Sequence, residues 1–185
     1  EDWGQLLEKW MSEDAVRERL QVQAAAISLA SKSVDNSHSN LIQSSIDIYV
    51  PKFLDGYLVV YVDDLDGVRI TDEETATLNA AGIEITLSDK MPDVLLWNPK
   101  TDGLWVIEAV ISDGEVDLDK VSHMVDFSER HGKSSVSFTT VYRTWKEAAS
   151  RQGTHKNIAP GTYIWILEDA SKHFYSTAFD TKSIT

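Results

Sequence analysis

The sequence predicts an α/β fold, with a mixed central β-sheet flanked by helices and an N-terminal helical extension. Three features predict this class: β-branched and aromatic runs typical of strands, helical periodicity between them, and turn residues at the junctions. The chain has 185 residues, of which 42% are hydrophobic. That length supports one substantial core and is short for two.

The N-terminal part of the sequence differs from the rest. Its first 34 residues place apolar side chains at i, i+3 and i+4 spacing, which predicts one or two helices. The Ser- and Asn-rich residues 33–39 then predict a linker. We therefore expect a helical segment and linker over residues 1–37 and a folded domain over residues 38–185. Because the sequence begins at Glu1, we also expect a missing N-terminal recognition or regulatory region.

Local signals predict each element of the folded domain. A helix from about Asn40 is expected to end before Pro51, because proline disrupts a helix interior. Residues 57–62 predict a strand that ends in an Asp-rich turn, and residues 72–81 predict a helix that ends at Gly82. The remaining predicted elements are a minor strand at 83–87, hairpin strands at 91–97 and 104–111, a helix from Asp117 or Asp119 to Arg130, a strand at 135–142, a helix at 144–150, and strands at 163–167 and 173–178.

The predicted hairpin carries the most informative pair of residues. If its turn centres between residues 100 and 101, Leu95 lies opposite Val106 and Asp93 lies opposite Glu108. Opposed residues have Cβ atoms roughly 5 Å apart, and like charges there are destabilising. A hard divalent cation such as Mg²⁺, which takes oxygen ligands, would compensate them. The alternative is that Asp93 opens a strand while Glu108 pairs with a surface Lys or Arg.

Composition excludes several classes of protein. The chain has no cysteine, so disulfides and Cys-based zinc sites are excluded. No apolar run approaches the roughly 20 residues that span a bilayer, and no signal peptide is visible. No glycine-rich phosphate loop is convincing, which argues against nucleotide-driven chemistry. We expect a cytoplasmic protein.

The charge of the chain is unevenly distributed. The net charge is −13, which at first argues against a nucleic-acid partner, because such binding depends on Lys and Arg. Residues 120–156, however, contain seven basic and three acidic side chains. This segment follows the acidic pair and is positioned to bind a phosphate backbone. The alternative is an ordinary solvated surface.

The central motifs resemble a known family. They are Lys-Met-Pro-Asp-Val at residues 90–94, Ile-Glu-Ala-Val at residues 107–110, and Ser-Asp-Gly at residues 112–114 with Lys120 shortly after. In these motifs the chain resembles the BsuBI/PstI type of restriction endonuclease, within the PD-(D/E)XK nuclease superfamily. Weaker similarity extends the resemblance over about residues 38–180, and it implies a restriction-endonuclease-like fold.

The resemblance implies a Mg²⁺-dependent endonuclease that hydrolyses DNA phosphodiester bonds in restriction or phage defence. Asp93, Glu108 and the backbone carbonyl of Ala109 would bind the metal, and Asp93 and Glu108 would be catalytic with Lys120. The superfamily usually places a lysine two positions after the second acid, where this chain has Val110. The BsuBI/PstI type looks similar in lacking a lysine at this position, so Lys120 is the first candidate to take the role of that lysine.

Further expectations concern other residues and the partners of the chain. Lys90 is the second choice for the displaced lysine, and His123 is a minor site candidate. Lys133, Arg143 and Lys146 are expected DNA-backbone contacts, which position a duplex without reading its sequence. The resemblance implies a homodimer, because cutting both strands of a palindrome calls for two active sites. The alternative function is a catalytically degenerate nuclease-fold module that binds DNA or a protein partner.

Overall fold

The computed structural model of the protein describes residues 37–63 and 72–178. Helices and strands follow one another through these residues without a repeat. In chain order they are α1 (Ser37–Ser44), a π-helix (Ser45–Tyr49), α2 (Val50–Phe53), β1 (Leu58–Val62), α3 (Asp72–Ala80), β2 (Val94–Asn98), β3 (Gly103–Ala109), α4 (Leu118–Arg130), β4 (Val136–Tyr142), α5 (Trp145–Thr154), β5 (Tyr163–Ile166), a 3-10 helix (Leu167–Asp169) and β6 (Phe174–Tyr175).

The six strands form one sheet in their chain order, β1 to β6. Strand β2 is antiparallel to both of its neighbours, β1 and β3, whereas β3, β4 and β5 run parallel, and β6 is antiparallel to β5. The helices α4 and α5 connect the parallel strands, as parallel pairing requires. The predicted mixed sheet with flanking helices is thereby confirmed.

Two apolar layers cover the sheet. On one face, side chains of β2 and β3 such as Leu95 and Val106 pack against α3 and α4, with Phe127 of α4 fully buried. On the other face, Leu96 and Ile107 pack against α1, the π-helix and α2. This alternation along β2 and β3 is what a sheet buried on both sides requires.

The first helical region continues through Pro51, so the prediction that it ends earlier was wrong. A π-helix precedes Pro51, and the Val50 N–H donates to the carbonyl of Ser45, five residues back. Pro51 then occupies the first turn of α2, where its missing N–H removes little. The wider π turn therefore accommodates a proline that would disrupt a regular α-helix.

The minor strand predicted at residues 83–87 is also absent from the structure. The Ile83 N–H donates to the carbonyl of Leu78 at the end of α3, and Thr86 and Asp89 close a turn through backbone and side-chain hydrogen bonds. These local bonds replace a strand ladder, although Ile83 is buried as its apolar character predicts.

Several predictions lie outside the described residues: the helices of the first 34 residues, most of the linker, and the turn after β1. Within the described ranges, no helix is both long and apolar enough to cross a membrane.

Candidate active site

The two acids meet where β2 begins and β3 ends. The strand register pairs Leu95 with Val106, as predicted, and its extension by one pair brings Asp93 opposite Glu108. Asp93 Oδ2 accepts the Ala109 N–H at 2.7 Å, so its carboxylate lies against the end of β3. Glu108 is 4% exposed. The hairpin therefore brings two carboxylates together at a largely buried position.

Lys120 reaches this pair from α4. The Asp117 side chain caps α4 by accepting the Lys120 N–H at 2.8 Å, which fixes where the helix begins. The Lys120 ammonium lies 2.8 Å from Glu108 Oε1 and donates to the Gly114 carbonyl at 3.2 Å. The capped first turn of α4 therefore places Lys120 beside the carboxylate of Glu108, which belongs to β3.

The electrostatics of the pair favour a bound cation. Burial raises the pKa of Glu108 well above its usual range, the charge of Asp93 raises it further, and Lys120 opposes both. Although Glu108 Oε1 forms the ion pair with Lys120, it accepts no well-aligned hydrogen bond from the described residues. Lys120 does not fully offset the burial of Glu108 beside Asp93, so an additional positive charge would be stabilising here.

The donor atoms fit a hard divalent cation. Two carboxylates and the Ala109 carbonyl are oxygen ligands of the kind Mg²⁺ takes, and water would complete its coordination. In the described residues, no three or more His, Asp or Glu side chains are already grouped to hold a metal ion. The two carboxylates would therefore act together with the main chain and solvent.

His38 also lies at this site, although it was not among the candidate site residues that the sequence suggested. Its Nε2 is 3.2 Å from Asp93 Oδ2. This hydrogen bond raises the pKa of His38, burial opposes the rise, and the charge of Asp93 and the Ala109 carbonyl add to it. The only sequence signal was its place at the start of the predicted domain, 55 residues before Asp93.

Val110 occupies the position where the superfamily usually has a lysine. The Val110 side chain is 1% exposed and packs with Tyr142, Ala148 and Ile166 between the sheet and α5. A lysine at this position would place its stem in an apolar cluster, whereas Lys120 reaches Glu108 from outside it. The packing thus explains how the chain accommodates valine there.

We expect Val110→Lys, which restores the superfamily pattern, to destabilise the protein. An unpaired ammonium buried in this cluster costs about 3 kcal/mol or more, which corresponds to a fall of about 6–12 °C in Tm for a chain of this size. Calorimetric melting checks this, with Leu87→Lys as the control at a fully exposed position. An unchanged Tm for Val110→Lys would show that the cluster admits a lysine.

A second buried ion pair supports the loop between β3 and α4. Glu115 is 2% exposed and accepts hydrogen bonds from Arg151 Nε and Nη2, both at 2.6 Å. Asn157 and Tyr142 also donate to its carboxylate. Burial would raise the pKa of Glu115, but the bonds from Arg151 and Asn157 lower it to about 2. This network fixes the segment that leads into the Lys120 turn.

The proposed DNA contacts separate into two groups. Arg143 and Lys146 follow β4 at the same end of the sheet as Glu108, since β3 and β4 are parallel and Ala109 pairs with Val141. Lys146 is exposed, while Arg143 is partly exposed and pairs with Glu147 on α5.

Lys133 lies at the other end of β3, beside the hairpin turn. Its side chain is 6% exposed, and its ammonium donates to the Ala81 carbonyl at 2.5 Å and to Asp102 at 2.8 Å. An ammonium held in this way has little freedom to bind phosphate. The expectation that Lys133 contacts DNA therefore conflicts with its placement, which is that of a structural residue.

The other two candidates lie on a neighbouring surface. Lys90 is exposed, and its N–H donates to His123 Nε2 on α4 at 3.2 Å. The contact joins α4 to the segment that leads into Asp93. Neither side chain has a described contact with Glu108 comparable to that of Lys120, so Lys120 is the better placed of the two lysines.

Comparison with known proteins identifies the family of this chain. The family model for the BsuBI/PstI restriction endonuclease domain matches residues 22–180. The chain belongs to the BsuBI/PstI restriction endonuclease family. The match begins upstream of the domain boundary predicted between residues 37 and 38, and that boundary stays a prediction.

Two individual proteins illustrate the likeness. The chain is 31% identical to the type II restriction enzyme BsuBI of Bacillus subtilis, over 97% of this chain and 58% of that enzyme. It thus spans little more than half the length of that relative. The solved structure of the SdaI restriction endonuclease matches with a TM-score of 0.63 and 17% identity, over 81% of this chain and 45% of that one. The likeness to the SdaI structure shows the fold alone.

Proposed function

We propose that this chain is the catalytic part of a Mg²⁺-dependent DNA endonuclease of the type II restriction kind. The single observation that carries the proposal is the convergence at one end of the sheet of Asp93, just before β2, Glu108 of β3 and Lys120 of α4. Membership of the BsuBI/PstI restriction endonuclease family supports the same reaction class. Restriction or phage defence in the cytoplasm is the setting in which such an activity would act.

Each residue has a distinct role in the proposed mechanism. Asp93, Glu108 and the Ala109 carbonyl would hold the cation. A divalent cation bound there would supply a water of lowered pKa and would polarise the scissile phosphate. Lys120, beside Glu108, positions the attacking water and offsets the negative charge that develops on the phosphate. The buried position of Glu108 strengthens these electrostatic interactions by excluding solvent.

The DNA path in this proposal follows the basic side chains at the same end of the sheet. Arg143 and Lys146 would contact phosphates next to the cleaved one, and these contacts fix register without reading bases. A second copy of the chain would supply the active site for the other strand. A further N-terminal region, of the kind that the relative's greater length allows, would add recognition or regulation.

We expect Lys146→Ala to reduce the salt dependence of DNA binding, because one phosphate contact is lost. The slope of log K against log salt falls by about 1 for each contact removed. Titration of a duplex in EDTA at several salt concentrations measures this slope. Lys133→Ala is the matched control and should leave the slope unchanged while lowering Tm. A reduced slope for Lys133→Ala would instead restore Lys133 to the DNA-binding surface.

Cleavage of supercoiled plasmid tests the proposed function. The purified chain is incubated with Mg²⁺, Mn²⁺ or EDTA, and modified and unmodified genomic DNA are compared. Metal-dependent cutting supports the nuclease, and discrete fragments favour a restriction enzyme over a nonspecific one. A folded protein that binds DNA and cuts none of these substrates would instead favour the degenerate module, which Val110 at the usual lysine position and the acidic net charge make the second candidate.

A further inference from the structure

The imidazole of His38 lies beside a carboxylate that the proposed function assigns to the metal. Its Nε2 lies 3.2 Å from Asp93 Oδ2, and its side chain is 26% exposed. This contact joins α1 to the segment that leads into β2, 55 residues along the chain.

We propose that His38 is a nitrogen ligand of the divalent cation, joining Asp93, Glu108 and the Ala109 carbonyl. This inference rests on the proposed function and deepens it by naming a fourth protein donor. It also brings α1 into the active site, so the site draws on both faces of the sheet: α4 contributes Lys120 and α1 contributes His38.

The distance between His38 and Asp93 is the first argument. Neighbouring ligands in an octahedral site lie about 3 Å apart when each metal–ligand bond is about 2.1 Å. The observed separation of 3.2 Å between Nε2 and Oδ2 is close to that value. When a cation replaces the proton on Nε2, the nitrogen and the oxygen therefore remain near their present positions.

The state of Glu108 is the second argument. Glu108 is 4% exposed, and its Oε1 accepts no well-aligned hydrogen bond from the described residues. As arranged, these side chains are not yet grouped as a three-ligand cluster. Cation binding would turn the Glu108 carboxylate from Lys120 toward His38 and Asp93. Lys120 retains the Gly114 carbonyl as an acceptor, and its ammonium then becomes available for water or phosphate.

A nitrogen ligand predicts which cations the site prefers. Imidazole nitrogen is a softer donor than a carboxylate or carbonyl oxygen, and Mn²⁺, although it also takes oxygen ligands, accepts nitrogen more readily than the harder Mg²⁺ does. The wild-type protein should therefore bind Mn²⁺ more tightly than Mg²⁺. Removal of the imidazole should weaken Mn²⁺ binding about tenfold or more, the scale on which groups around a metal site act. Removal of the imidazole should weaken Mg²⁺ binding less, so the ratio of the Mn²⁺ affinity to the Mg²⁺ affinity should fall.

Calorimetric titration of Mn²⁺ and Mg²⁺ into the whole chain, without DNA, tests this inference. The variants are His38→Ala, His38→Gln, which keeps a hydrogen-bond donor toward Asp93, and His155→Ala. His155 is exposed at the end of α5 and is the matched control. We expect the preference for Mn²⁺ over Mg²⁺ to narrow in His38→Ala and His38→Gln and to stay as in the wild type in His155→Ala. Electron spin echo measurements on the Mn²⁺-loaded wild type should show nitrogen coupling, which His38→Gln should lack.

The outcomes separate this inference from the proposed function. His38 is not a ligand if Asp93→Asn abolishes Mn²⁺ binding while His38→Ala and His38→Gln bind Mn²⁺ as the wild type does. The same conclusion follows if the Mn²⁺-loaded wild type shows no nitrogen coupling. In both cases the metal site itself is retained. If the folded wild type binds no Mn²⁺, or Asp93→Asn binds equally well, the metal site itself is wrong. Circular dichroism melting of each variant establishes that it is folded.

Discussion

Glu108→Gln is expected to abolish DNA cleavage while making the protein more stable in EDTA. Cleavage should fall by at least about 10³-fold, the scale of losing a principal electrostatic group. Stability should rise by about 1–2 kcal/mol, because an amide of the same shape removes a buried charge next to Asp93. Plasmid cleavage with Mg²⁺ and calorimetric melting in EDTA measure the two effects on one preparation.

Glu115→Gln is the matched control for this experiment. Glu115 is also a buried glutamate, but Arg151 neutralises it, so the same substitution should lower stability. If Glu108→Gln raises the free energy of unfolding and Glu115→Gln lowers it, Glu108 is a residue whose charge destabilises the protein and serves function. If Glu108→Gln instead lowers Tm as Glu115→Gln does, the Glu108–Lys120 contact is a structural ion pair. Cleavage at the wild-type rate would remove Glu108 from the mechanism.

Arg151→Ala is expected to be among the most destabilising single substitutions in the described residues. It leaves the Glu115 carboxylate buried without its principal partner, which costs about 3–5 kcal/mol and lowers Tm by about 6–20 °C. Glu147→Gln weakens the exposed Arg143–Glu147 pair and serves as the control, at about 0.5 kcal/mol. Similar losses from both variants would contradict the buried position of the Glu115 network.

The loss of stability at acidic pH should depend on the Glu115–Arg151 ion pair. Because the folded-state pKa of Glu115 is lowered from 4.5 to about 2, its contribution is present above pH 4.5 and is lost as pH falls toward about 2. Arg151→Ala restores the pKa toward its ordinary value, so stability should fall less steeply over that window. Chemical unfolding at a series of pH values measures the slope, and equal slopes in both proteins would contradict the assignment.

Local pattern predicts the carboxylate pair for a definable reason, whereas its lysine was suggested by the family resemblance. A short turn and the alternation of side chains fix the register of a hairpin, so Asp93 and Glu108 could be paired from sequence alone. The resemblance called for a lysine near this pair, and Lys120, in the helix start that Asp117 caps, was its first candidate.

The features that the sequence did not reveal depend on contacts between distant segments. His38 meets Asp93 across 55 residues, a separation that no local pattern in the sequence bridges. The sequence indicates a surface cation at Lys133. In the structure, its ammonium donates to the Ala81 carbonyl and to Asp102, which lies 31 residues away in the sequence. For His38 and Lys133, tertiary context therefore overrides a correct local rule. The continuation of the helix through Pro51 has a local cause instead, the adjoining π turn.

Single-turnover cleavage of supercoiled plasmid by Lys120→Met tests most directly the claim that a lysine from α4 acts in place of Val110. Methionine keeps the length and apolar stem of the side chain and removes its charge, and Lys90→Met is the matched control. We expect Lys120→Met to cleave about 10²–10³-fold more slowly, with duplex binding in EDTA close to wild type and Lys90→Met unaffected. Wild-type cleavage by Lys120→Met, or a loss confined to Lys90→Met, would contradict the account.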